Sequence, residues 1–247
     1  MRGEVSSFFL ERHIKLSTNC KIGVLGGIGP EATGEFYNKL IKRLQEKGLI
    51  KSNKDFPQIV INSIPAPELI YDNISDEKLI PYINGLKELD KFKVDFIVMV
   101  CNTIYLFYDK LQKEIETPIL DLRKELKKLL FDRGIKSALI IGTPNTIKKG
   151  LYKFNDIKTY EPNEEEIKIL TNAIFNFNNG VNKEKQKVRD ICDKYINKGA
   201  ETIILGCTEF GVMLCDEEIP MINTIDVLVN VAINKFLENH NDFVLKD

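Results

Sequence analysis

Lys21-Ile22-Gly23-Val24-Leu25-Gly26-Gly27-Ile28-Gly29-Pro30 is an apolar run closed by a glycine-rich turn. The run reads as a strand buried on both faces, the form that parallel sheets take. Pro30 suits the first position of a helix, where its missing N–H costs nothing. Phe36, Tyr37, Leu40, Ile41 and Leu44 then recur at helical spacing on one predicted face. Strand, turn and amphipathic helix open a βαβ unit, and the same alternation continues along the chain, so the fold class is α/β with mostly parallel sheet flanked by helices. Further strands are predicted at 58–64, 96–100 and 119–122, then at 138–142, 158–160, 202–205 and 221–225.

These strands fall into two series on one plan. Each opens with a strand ending in glycine, Leu25-Gly26-Gly27 and Ile141-Gly142-Thr143. Each later runs an apolar strand into a cysteine, Val100-Cys101-Asn102-Thr103 and Gly206-Cys207-Thr208-Glu209. Each closes on a proline-led strand near an aspartate, Pro118-Ile119-Leu120-Asp121 and Pro220 through Asp226. The pattern predicts two similar, pseudo-symmetric lobes with the site in the cleft between them. Residues 21–122 plus 227–247 are assigned to the first lobe and 123–226 to the second. Residues 1–20 have no counterpart in the second half and are expected to be a loosely held extension. Residues 176–187 are polar and predict a solvated helix end and loop.

The chain has 247 residues, 35 basic and 36 acidic, for a net charge of −1. That balance gives no electrostatic case for nucleic acid or an anionic membrane surface as partner. No apolar stretch reaches the roughly 18 residues of a spanning helix, and Phe8-Phe9-Leu10 is too short for a signal-peptide core, so a cytoplasmic protein is expected. Five widely spaced cysteines without a CxxC pair argue against a disulfide framework and a zinc site. His13 and His240, each near a terminus, offer little to a metal site or a histidine-centred triad.

Ligands of open α/β sheets bind beyond the carboxyl ends of strands, where Cys101 and Cys207 fall. A single free cysteine is usually a small buried hydrophobe, the reading kept for Cys20, Cys192 and Cys215. Two in equivalent strand-end positions point instead to chemistry. Backbone N–H groups at a strand-to-helix turn are expected to favour a thiolate there without a histidine. Two thiols on opposite sides of one carbon suit a reaction in which one removes a proton and the other supplies one, inverting the centre. Asn62, Asn102, Thr103, Thr143 and Thr208 are candidate substrate-binding residues, and Glu209 a candidate acceptor for an ammonium group. Helix capping competes for Asn102, Thr103 and Thr208, and a dipole-facing helix start competes for Glu209.

The ordered set from Ile22 to Thr33, Cys101-Asn102-Thr103 with Phe107-Tyr108-Asp109, and Leu205-Gly206-Cys207-Thr208-Glu209 resembles the cofactor-independent aspartate/glutamate racemase family. The resemblance implies catalytic Cys101 and Cys207, no pyridoxal phosphate, no metal, an amino-acid substrate and a homodimer. Two positions depart from the family pattern. Tyr105 stands where many relatives carry histidine, and Ala66-Pro67 where aspartate-specific relatives carry Asp-Arg. The arginine that would hold a distal carboxylate is therefore missing, leaving Lys183 or Lys185 as candidate cations, although a solvated position is the commoner one for lysine. Two other readings compete: a two-lobed ligand-binding protein without catalysis, and a dinucleotide-dependent oxidoreductase. Gly27-Ile28-Gly29-Pro30-Glu31-Ala32 formally fits the dinucleotide fingerprint, but no acidic residue follows the second strand to hold a ribose.

Overall fold

The computed structural model describes residues 20–70 and 74–244. The expectation for residues 1–20 therefore lies, Cys20 apart, outside the described residues. β1 (Lys21–Gly26), β2 (Gln58–Ser63) and β3 (Phe96–Met99) form a parallel sheet in the order β2-β1-β3. β4 (Ser137–Gly142), β5 (Lys158–Tyr160), β6 (Thr202–Gly206) and β7 (Met221–Asn223) form a second parallel sheet in the order β5-β4-β6-β7. The first strand of each series is central, with the second on one side and the third on the other. Central strands are the most apolar because both faces are covered, and β4 is buried throughout.

Between and after the strands run α1 (Pro30–Glu46), α2 (Asp76–Lys91), α3 (Tyr108–Gln112), α4 (Leu122–Asp132), α5 (Pro144–Lys148), α6 (Glu164–Asn178), α7 (Lys185–Asn197), α8 (Thr208–Met213) and α9 (Thr224–Val244). Two predicted strands come out shorter because a helix starts inside them. At 119–122 only an isolated bridge joins Ile119 to Ile97, and Asp121 caps α4 by accepting from the Arg123 N–H at 3.1 Å. At 221–225 the strand stops at Asn223, whose side chain accepts from the Ile225 N–H at 3.0 Å as α9 begins. The proline-led segments are nonetheless equivalent. The Pro118 carbonyl accepts from Ile97 N–H and the Pro220 carbonyl from Ile203 N–H, each at 2.9 Å.

Pro30 occupies the first turn of α1 as the sequence suggested, and Phe36, Leu40 and Leu44 are fully buried. Tyr37 departs from the predicted face: it is 41% exposed. The opposite edge of α1 docks on α9, where Asp226 accepts from Lys39 at 3.0 Å and pairs with Arg43. Arg43 also donates to the Asp226 carbonyl at 3.1 Å and to Asn230 at 3.0 Å. No helix among the described residues is long and apolar enough to cross a membrane.

Phe36→Ala removes a fully buried ring and is expected to cost about 3–5 kcal/mol, whereas Tyr37→Ala should stay within about 0.5 kcal/mol. Urea unfolding of both variants checks the contrast.

Candidate active site

A cavity of about 210 Å³ opens where the carboxyl ends of the two sheets meet. Gly27 to Pro30 enter it after β1, Cys101 after β3, Thr143 after β4 and Glu209 after β6. The segment after β2 contributes Ala66, Glu68, Leu69 and Ile70, α2 contributes Tyr82, and α6 contributes Ile174 and Asn178. The turn after β1 requires glycine. Gly27 has φ +81°, and a side-chain carbon there would lie 2.5 Å from the Ile64 carbonyl oxygen. Gly29 has φ +96°, and a side chain would press on Glu209 Oε1 and Thr208 Oγ1 at 3.2 and 3.3 Å. The first lobe's turn thus rests against the second lobe's carboxylate. No side chain caps α1, and the turn that leads into it, Gly27 to Pro30, lies along the cavity.

Both predicted thiols reach this region. Cys207 is 6% exposed and does not line the cavity itself; its Sγ donates to Glu209 Oε2 at 2.8 Å, and Glu209 does line it. Cys101 is open to the cavity but otherwise enclosed by protein. The expectation of stabilised thiolates is corrected here. Burial pushes the Cys101 thiol up to about 12, with the Glu209 charge adding to the rise, although the Ile104 and Thr103 N–H groups pull it down. Burial likewise pushes Cys207 well up, reinforced by Glu209 and by a charge on Cys101. The backbone donors act in the anticipated direction, and desolvation outweighs them.

The remaining predicted residues divide into three groups. Thr143 and Glu209 line the cavity; Thr143 also caps α5, accepting from Thr146 N–H at 3.1 Å. Thr208 lies at the edge, its hydroxyl donating to Glu209 Oε2 at 3.2 Å. Asn102 and Thr103 form bridges between the sheets. Asn102 donates to Thr224 Oγ1 at 3.0 Å and accepts from Tyr152, while the Thr103 hydroxyl meets those of Thr143 and Thr146 at 3.0 and 3.1 Å. Asn102 makes no side-chain cap. Asn62 is not brought to the cavity: its amide donates to the Gly85 carbonyl at 3.1 Å and to Glu88 at 2.7 Å, on the side facing α2. Lys185 is committed to Asp216 and Glu217, and neither it nor Lys183 lines the cavity. Tyr105 is fully buried and donates to the Met99 carbonyl at 3.3 Å. Sequence reasoning passed over Glu68, Tyr82, Ile174 and Asn178. The strand-end rule pointed at the segment holding Glu68; no pattern marked the other three.

Compared with known proteins, the chain matches the Asp/Glu/Hydantoin racemase family over residues 25–232. It is 28% identical over 229 residues to the broad specificity amino-acid racemase RacX of Bacillus subtilis (strain 168), covering 87% of this chain and 98% of that one. An aspartate racemase homologue from Pyrococcus horikoshii OT3 superposes with a TM-score of 0.68 at 27% identity, over 90% of this chain and 99% of the other. The Picrophilus torridus aspartate racemase gives 0.73 at 23% identity, over 88% and 94%, a likeness of fold. The dinucleotide reading finds no support. The cavity falls below the roughly 300–1,000 Å³ of drug-sized ligand sites, too small for two nucleotides.

Raised thiols are protonated near neutrality and ionise only as pH climbs towards their shifted range. Iodoacetamide should therefore label exposed Cys215 promptly at pH 7.5, while labelling of Cys101 stays slow and gains about tenfold per pH unit up to about pH 11. Peptide mass spectrometry against time and pH checks this; rapid neutral labelling of Cys101 is the contrary outcome.

Proposed function

Because the chain belongs to the Asp/Glu/Hydantoin racemase family, we propose that it inverts the α-carbon of an amino acid by proton transfer between Cys101 and Cys207, without pyridoxal phosphate. One observation carries the reading. Cys101 opens on the cavity from one sheet, and from the other Glu209 opens on it while accepting a hydrogen bond from Cys207. In the proposed step one cysteine, as thiolate, takes the α-proton from one face of the carbon. The other, as thiol, returns a proton to the opposite face. The enzyme finishes with the two protonation states exchanged, ready for the reverse direction.

The substrate's α-carboxylate fits the uncapped N-terminus of α1, where backbone N–H groups would also receive the charge that develops as the C–H bond ionises. Thr143 offers a further hydroxyl in the same cavity. The α-ammonium fits Glu209. Its arrival offsets the carboxylate charge that raises both thiols, so binding itself moves them towards a working range. Asn102 and Thr103 hold the cysteine-bearing strand end against the second sheet and act on position rather than on substrate. A homodimer in the cytoplasm belongs to the same proposal.

Cys101→Ser and Cys207→Ser are each expected to lower kcat/KM by about 10²–10⁴ in both directions. Cys192→Ser and Cys215→Ser should leave it unchanged. Chiral chromatography of an amino-acid panel without added cofactor reads the result. Near-normal turnover in either active-site variant would sink the two-thiol assignment. Ligand binding with no turnover in the unaltered protein would favour the binding-protein alternative.

A further inference from the structure

We propose that this cavity takes an α-amino acid whose side chain is cationic, with Glu68 as the residue that selects it. The inference rests on the racemase reading and names its substrate class. Two carboxylates, Glu68 and Glu209, line the cavity, and among the described residues no lysine, arginine or histidine does. Glu209 is 7% exposed, and its hydrogen bonds from Cys207 and Thr208 both fall on Oε2. Among the described residues Oε1 has no donor, and neither glutamate is in an ion pair. A carboxylate this buried without a counter-cation is costly, which fits a site completed by its ligand. One ammonium satisfies Glu209. Glu68 then remains for a second positive charge on the same molecule.

Glu68 is held where it can play this part. On one side of it the Pro67 carbonyl accepts from the Tyr82 hydroxyl; on the other the Leu69 carbonyl accepts from Asn145 at 2.8 Å, across the cleft on α5. The backbone is thus anchored to both sheets' helices. Burial, with the charges on Cys101 and Glu68 adding to it, holds the Tyr82 phenol above its ordinary range. The walls of the same cavity include Ile28, Leu69, Ile70 and Ile174. Such a lining suits the methylene stem of a lysine-like side chain. An aspartate or glutamate would bring its distal carboxylate to Glu68 with no lining cation to meet it.

The test is racemisation of L-lysine, L-ornithine, L-arginine, L-aspartate, L-glutamate and L-norleucine by the full chain, with calorimetric titration of each ligand. The cationic substrates are expected to exceed aspartate and glutamate in kcat/KM by about tenfold or more. Glu68→Gln should raise KM for lysine about two- to fivefold with little change in kcat, and by clearly more than it raises KM for norleucine. Glu68→Lys should move preference towards glutamate. Faster turnover of aspartate or glutamate than of lysine, or an equal effect of Glu68→Gln on lysine and norleucine, overturns the inference and spares the racemase reading. Lysine binding weakened by Glu68→Gln, with no amino acid turned over, supports the charge assignment and overturns the racemase reading. Absence of both binding and turnover of cationic amino acids overturns the inference.

Discussion

Asn102 follows directly on Cys101 and commits its side chain to the opposite sheet. It donates to Thr224, which in turn donates to the Leu205 carbonyl at 2.9 Å, and it accepts from Tyr152. One residue on, Thr103 joins Thr143 and Thr146 in a buried hydroxyl cluster. Buried polar groups stay in place only while partnered, so these bonds oblige the end of β3 to meet the ends of β4 and β6 in one register. The encounter of Cys101 with Glu209 depends on that register. A purely apolar junction would tolerate sliding; a satisfied polar one does not.

The site is tuned by two opposed effects, of which the first outweighs the second. Enclosure by protein keeps both thiols neutral, and so does the neighbouring Glu209 carboxylate, while the amides after each cysteine favour charge. The resting site is therefore weakly nucleophilic. In the proposed mechanism the substrate's own ammonium relieves the repulsion, so reactivity appears with the ligand and subsides when it leaves.

The strands were readable because a strand covered on both faces must be a near-continuous apolar run, as in β1 and β4. The glycine turn was readable because Gly27 and Gly29 adopt a backbone that a side chain would strain. Local competition was harder to see. At Leu122 and Thr224 a helix start captured residues with strand composition. Polar residues beside the cysteines posed a different difficulty. A hydroxyl or amide that faces a ligand and one that bridges two sheets have the same sequence context, and Asn102 and Thr103 proved to be bridges. Asn62 sits at the carboxyl end of its strand but faces α2, since successive side chains of a strand alternate in direction. Glu68 and Tyr82 lie outside any motif and reach the cavity through the course of the chain between elements.

The two lobes are copies in plan yet unlike in chemistry. The residue two places after each cysteine contacts the opening turn of the other lobe: Thr103 meets Thr143, and Glu209 lies against Gly29. Glu209 accepts directly from Cys207 and reaches Cys101 only through its charge, while the Thr103 hydroxyl is spent on Thr143 and Thr146, so the two thiols would face a bound carbon from unlike surroundings. Mirror-image amino acids have equal free energies in water, which fixes the equilibrium constant of their interconversion at unity and makes kcat/KM the same in both directions. In a racemase built this way, lobe asymmetry cannot favour one enantiomer at equilibrium. It can appear only as matched differences in saturation and in maximal velocity, one hand bound more tightly and turned over more slowly than the other.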